Sequence, residues 1–200
     1  MKVPYLKKSA FTMLELVFVI VVIGIISAVM IPRIDRDNLA EAANQVVSHI
    51  KYTQHLAMTE NMYDDNIVNW FQRRWQIQFY ACGGYAVHSD TDMSGGVAQN
   101  ESAQDPQTKL SLFTTGLCTE NATSFDKVVL SSYFDIVNIA TAGCGGLNIG
   151  FDNLGRPYET MNLNGLLKQD CDITLTAGSG DGVVIRIVPE TGYTYILQYI

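Results

Sequence analysis

The chain has 200 residues, 13 Lys and Arg against 20 Asp and Glu, and a formal net charge of -7. Setting aside Lys2, Lys7 and Lys8 leaves 10 basic residues against 20 acidic ones, a charge of -10 over the rest, which weighs against nucleic acid as a partner because phosphate contacts need clustered Lys or Arg. The sequence lacks the G-x-S-x-G, H-E-x-x-H, P-loop and C-x-x-C patterns, so neither an enzyme, a cofactor nor a small-molecule substrate is expected.

The chain opens on a short basic leader, residues 1–10, ending Lys7-Lys8-Ser9-Ala10. Phe11-Thr12-Met13-Leu14-Glu15-Leu16 follows, and from Phe11 to Ile31 Glu15 is the single charged residue. A helix over residues 11–31 would rise roughly 31 Å, about one bilayer core. The expectation is therefore a transmembrane helix over residues 11–31. An ordinary secretory signal fits less well, because its apolar region is about 7–15 residues and ends in a small-residue cleavage site. Basic residues before the span keep the leader cytoplasmic by the positive-inside rule and place the rest across the inner membrane.

Gly24 weakens helix propensity and Pro32 removes a backbone donor, so the segment between them is where a long helix would bend or melt, with a simple kink at Pro32 as the alternative. Beyond Pro32 the pattern turns amphipathic. Leu39, Ala43, Val46, Ile50, Thr53 and Ala57 recur at spacings of three and four, while Asp37, Glu41, Asn44, Ser48 and Lys51 take other faces, which predicts a helix over about 33–60 with a core-facing stripe. Residues 32–200 read as one globular domain, helix first and then strands.

Trp75, Ile77 and Phe79 alternate with Gln76 and Gln78, and Cys82-Gly83-Gly84 supplies a turn before Tyr85-Ala86-Val87. Residues 89–109 read as an exposed polar excursion or a partly ordered insertion. Further strands are predicted at 128–130, 133–139, 147–151, 173–176, 183–188 and 193–199, the last two joined by the hairpin signal Pro189-Glu190-Thr191-Gly192. The class expected is α+β, a long N-terminal helix packed on an antiparallel sheet.

Four cysteines, Cys82, Cys118, Cys144 and Cys171, allow three pairings, and an oxidising compartment permits them. Cys82 with Cys118 and Cys144 with Cys171 is favoured, since each closes a modest loop; free buried thiols are the alternative. Their spacing does not suit structural zinc. His49 and His55, six apart on a helix, face different ways, and His88 is distant, so no metal site is expected. Asp170, Asp172 and Asp181 lack EF-hand spacing and read as solvated loop acids. Arg73-Arg74 beside Trp70, Phe71 and Trp75 reads as a core aromatic pair flanked by surface arginines.

The leader, the Ala10/Phe11 junction, the acid at Glu15 and the apolar run with Gly24 and Pro32 together resemble the class III signal of type IV prepilins and type II secretion pseudopilins. Residues 147–157, ending Phe151-Asp152-Asn153-Leu154-Gly155-Arg156-Pro157, and the terminal Thr191-Gly192 hairpin resemble the end of the H-type minor pseudopilins and related minor pilins. The resemblance implies cleavage by a prepilin peptidase between Ala10 and Phe11, N-methylation of Phe11, a type IV pilin-like fold whose helix over residues 11–31 doubles as the filament core, and assembly with other pilin or pseudopilin subunits through Glu15, which would pair with a neighbour's new N-terminus. It departs from the family at Ala10, where Gly is usual. A single-span exported binding protein or enzyme borrowing this anchor is the competing expectation.

Overall fold

The computed structural model describes residues 12–30, 34–119 and 122–200, with residues 28–30 and 34–37 described by backbone alone. The leader, the Ala10/Phe11 junction and Pro32 therefore lie outside the described residues. Two compact units divide the chain, residues 1–37 and 38–200.

The first unit contributes α1, Met13–Met30. Thr12 caps it: the Glu15 amide donates to the Thr12 carbonyl at 3.1 Å and to Thr12 Oγ1 at 3.3 Å. This is the N-cap half of a T-x-x-E capping box, a pattern in which the cap hydroxyl satisfies an orphan amide of the first turn.

The second helix, α2, runs Ile34–Thr59. Its stripe of Leu39, Ala43, Val46, Ile50, Thr53 and Ala57 is buried, joined by Ala42, while Glu41, Asn44, Ser48 and Lys51 are exposed. The apolar period read from the sequence thus selects the face that meets the sheets.

Among the described residues, eight strands follow α2. Strands β1 (Trp75–Tyr80) and β2 (Gly84–Ser89) form a hairpin, and β4 (Asn148–Phe151) and β5 (Pro157–Tyr158) complete a first antiparallel sheet of order β2-β1-β4-β5. Strands β3 (Ile136–Ala142), β6 (Cys171–Ala177), β7 (Gly182–Ile187) and β8 (Thr194–Tyr199) form a second, in the order β3-β6-β7-β8. Strand β6 buries Cys171, Ile173 and Leu175 and leaves the residues between them half-exposed, the period-two signature of a one-sided sheet. One apolar core joins the α2 stripe to Ile77, Phe79, Ile149 and Phe151 of the first sheet and to Ile139, Ile173, Leu175, Val183 and Ile185 of the second.

These observations correct the expected architecture. The α+β chain has two four-stranded sheets, not one, and its N-terminal helical sequence is two helices, with α1 ending at Met30 and α2 beginning at Ile34. Among the described residues no helix is long and apolar enough to cross a membrane. The physical reason lies in length. The 18 residues of α1 rise about 27 Å, short of the roughly 30 Å of hydrocarbon core. The long membrane-spanning helix, and with it the single-pass inner-membrane placement, are withdrawn.

Two further readings change. Residues 128–130, expected as a strand, are the end of a 3-10 turn and the start of a short helix α3, Leu130–Phe134, which Asp135 closes in the left-handed conformation at φ 56°. The excursion after β2 is exposed over residues 91–96, at 100 and 104 and over 106–109, but is not exposed along its whole length. It then returns to the domain, where the Ala103 amide donates to the Val87 carbonyl and the Val87 amide to the Leu112 carbonyl, burying Glu101, Ala103 and Asp105.

Candidate assembly segment

Every described side chain of α1 from Met13 to Ser27 is exposed in the single chain. Twelve large apolar side chains stand out from it, among them Met13 at 89%, Leu14 at 81% and Phe18 at 68% exposure. Fully burying a side chain of this kind is worth about 1.5–3 kcal/mol. Covering these twelve, partly shielded as they already are, would release on the order of 10–20 kcal/mol. A helix that is apolar all round has no face suited to water, and a patch this extensive marks a surface that something else covers.

Glu15 sits in the first turn of α1 and is exposed. Its charge is favourable there, because the helix N-terminus carries partial positive charge and unsatisfied amides. It is also the single acidic residue in α1. If neighbouring apolar helices enclose this turn, the carboxylate loses water and needs a cation. Gly24 lies inside α1, with nothing among the described residues within 4 Å of the position its Cβ would take, so it does not end the helix.

The C-terminal residues that carry the resemblance converge on α2. Asp152 accepts from the Leu154 and Arg156 amides at 3.0 and 2.9 Å and pairs with the Arg156 guanidinium at 2.7 Å, fixing the turn between β4 and β5. Gln54 of α2 then donates from Nε2 to the Gly155 carbonyl at 2.7 Å and the Thr191 carbonyl at 2.9 Å. Gly192 closes this node at φ 64°, where an added Cβ would lie 2.6 Å from the Gly155 carbonyl oxygen. The Asp-x-x-Gly-Arg turn and the Thr-Gly hairpin thus serve one structural purpose, clamping both turns to α2. Gln54 was not singled out in the sequence; a lone polar residue on the stripe edge carries no distinguishing signal.

The cysteines pair as Cys82–Cys118 and Cys144–Cys171, and none of the four is free. Cys144 and Cys171 are buried, whereas Cys82 and Cys118 are half-buried. Asp170 and Asp172 are partners of Arg186 on β7, at 3.0 and 2.7 Å, and Asp181 accepts from the Ser179 hydroxyl at 3.0 Å. Asp181 is a turn acid as expected, whereas Asp172 is not a loop acid: it lies in β6, half-buried against Arg186 of the neighbouring strand.

Arg74 departs from its expected surface role. It is buried, stacked 4.0 Å from the Tyr158 ring and 5.1 Å from Trp70, and it donates to the Asn162 carbonyl at 3.3 Å. Burial pulls its basicity down, while Tyr158 and Asp152 act the other way. His49 is also buried; its Nδ1 meets the Tyr85 hydroxyl and its Nε2 lies 3.9 Å from Asp105. Burial lowers its pKa to about 4 against the opposing pull of Asp105, so near neutrality the His49–Asp105 contact is not an ion pair. His55 is exposed and takes no part.

Comparison with protein-family models, with curated proteins and with solved structures finds no match to this chain.

Proposed function

We propose that this chain is a structural subunit, of the minor pilin or pseudopilin kind, of a type IV pilus or type II secretion pseudopilus, processed after Ala10 and assembled through α1. The observation that carries the reading is the all-round apolar and exposed surface of α1, with its one acid in the first turn. In a filament, α1 helices of neighbouring subunits take the place of water around that surface. Glu15 then requires a counter-charge, and cleavage before Phe11 creates one, the new amino terminus of an adjacent subunit. The partners are a prepilin peptidase and other subunits of the same class. The two disulfides support a working compartment that is oxidising.

The test is intact-mass and N-terminal analysis of the full chain expressed with and without a prepilin peptidase. Peptidase-dependent loss of residues 1–10 with a methylated Phe11 is the expected result. A chain left intact beside an active peptidase that processes a control substrate overturns the proposal.

A further inference from the structure

The strand β2 ends at Ser89, and the next twelve residues run Asp90-Thr91-Asp92-Met93-Ser94-Gly95-Gly96-Val97-Ala98-Gln99-Asn100-Glu101. Numbered from Asp90, this loop has acids at positions 1, 3 and 12, a hydroxyl at 5 and glycine at 6. That is the register of the twelve-residue calcium loop, in which positions 1, 3 and 5 offer side-chain oxygens, 7 a carbonyl, 12 a bidentate Glu, and glycine at 6 makes the sharp turn. Ser94 in place of Asp or Asn at position 5 is the one departure among these side chains. The flanks differ from an EF-hand: β2 precedes the loop and a 3-10 turn, Gln99–Glu101, closes it.

The folded chain brings these positions together. Asp90, Asp92 and Glu101 each place an oxygen within 4.8 Å of the others, although Glu101 is separated from Asp92 by the whole turn. Gly95 takes φ 74°, the left-handed geometry that position 6 requires. Amides of Ser94 and Gly95 hold Asp90 at 3.0 Å each, and the Ser94 amide also holds Asp92 at 2.9 Å.

An independent observation points to a missing ligand. Glu101 is 7% exposed, and while its Oε1 accepts from the Thr91 hydroxyl and the Asp92 amide, its Oε2 is buried with no hydrogen-bond partner. Buried carboxylate oxygens without partners are costly. Among the described residues no Lys or Arg forms an ion pair with Asp90, Asp92 or Glu101. His88, buried next to the loop, has neither ring nitrogen hydrogen-bonded. Three carboxylates therefore converge with no Lys or Arg paired to them among the described residues.

We propose that the loop 90–101 binds one calcium ion, with Asp90, Asp92 and Glu101 as carboxylate ligands and Ser94 and the Gly96 carbonyl completing the shell. The donors are all oxygen, which selects a hard cation, and an irregular loop of seven or so oxygens suits calcium better than magnesium, which demands near-octahedral geometry at shorter range. The ion ties the exposed residues 91–96 to the buried Glu101 and so fixes the excursion on β2.

Isothermal titration of calcium chloride into the chelator-treated full chain, held in mild detergent to cover α1, tests this. One site per chain is expected, with a Kd in about the 10⁻⁶–10⁻³ M range and magnesium at least about tenfold weaker. Glu101→Gln and Asp92→Asn each weaken binding at least about tenfold, since each removes a charged ligand. Asp92 is exposed, so its variant keeps the test valid should the buried Glu101 variant misfold. No binding by the unaltered chain, binding that survives Asp92→Asn unchanged, or equal affinity for magnesium overturns the assignment.

Discussion

Acid should destabilise the 38–200 unit in a way that His49 makes measurable. In the fold His49 is 7% exposed and its pKa is lowered from 6.5 to about 4, by burial first and with Asp105 opposing. A group whose folded pKa lies below its unfolded value is protonated more readily by the unfolded chain. Its contribution is therefore intact above the unfolded pKa of 6.5, declines as pH falls through that value, and levels off below about 4. Linkage over this interval gives a loss of about 1.8 kcal/mol between pH 7 and pH 5 from this one ring. Asp105 does not confuse the window. Burial raises its pKa, but hydrogen bonds from Thr108 and Gln107 outweigh that and hold it below the usual carboxylate range, so it stays ionised throughout. Both tryptophans of the chain, Trp70 and Trp75, lie in this unit, which allows urea unfolding to be followed by fluorescence at pH 7, 6 and 5. His49→Gln removes the titration whatever it does to baseline stability. The slope of unfolding free energy against pH should fall by about 0.9 kcal/mol per unit relative to the unaltered chain. Equal slopes in the two proteins would refute the burial argument.

Reduction should strike the two disulfides unequally: Cys82–Cys118 is half-buried and is expected to yield first to a mild thiol, with Cys144–Cys171 surviving until unfolding, as alkylation and peptide mass mapping would show. On loop-entropy grounds each is worth about 3–4 kcal/mol, for spans of 36 and 27 residues. Gly192→Ala should cost about 1–3 kcal/mol in urea unfolding, because a Cβ there is strained by its positive φ and meets the Gly155 carbonyl oxygen. A loss below about 0.5 kcal/mol would show that the Gln54 node is soft. Glu15→Gln should leave the unfolding of the 38–200 unit unchanged and impair incorporation into filaments; filaments at unaltered yield would remove Glu15 from assembly.

Where one local pattern decided the structure, the sequence was a good guide. The β1 alternation of Trp75, Ile77 and Phe79, the α2 stripe and the Pro189–Gly192 hairpin each have a period or a turn chemistry that tertiary contacts reinforce. Val128-Val129-Leu130 misled because a three-residue apolar run suits a buried turn as well as a strand, and what settles it is Asp135 ending α3. The spanning helix is expected from an apolar run that continues through residue 31, whereas α1 as described has 18 residues and rises about 27 Å, less than a bilayer core. The division of eight strands into two sheets depends on long-range register, such as β1 pairing with β4 about seventy residues later, and no local signal carries that. Arg74 was read from its charge, yet two flanking aromatic rings make its buried position tolerable.

The energetic contrast between the two units bears on how such a chain would work. In residues 38–200 the demands of the sequence are met internally: the core is closed by α2, two disulfides staple its connections, and Gln54 satisfies two turn carbonyls. In α1 they are not met, since a dozen apolar side chains and one acid face outward. Under the proposed subunit role, the exposed apolar residues of α1 and Glu15 would serve association, while the Gln54 node and the loop 90–101 set what residues 38–200 present, because those features are built from that unit's own residues.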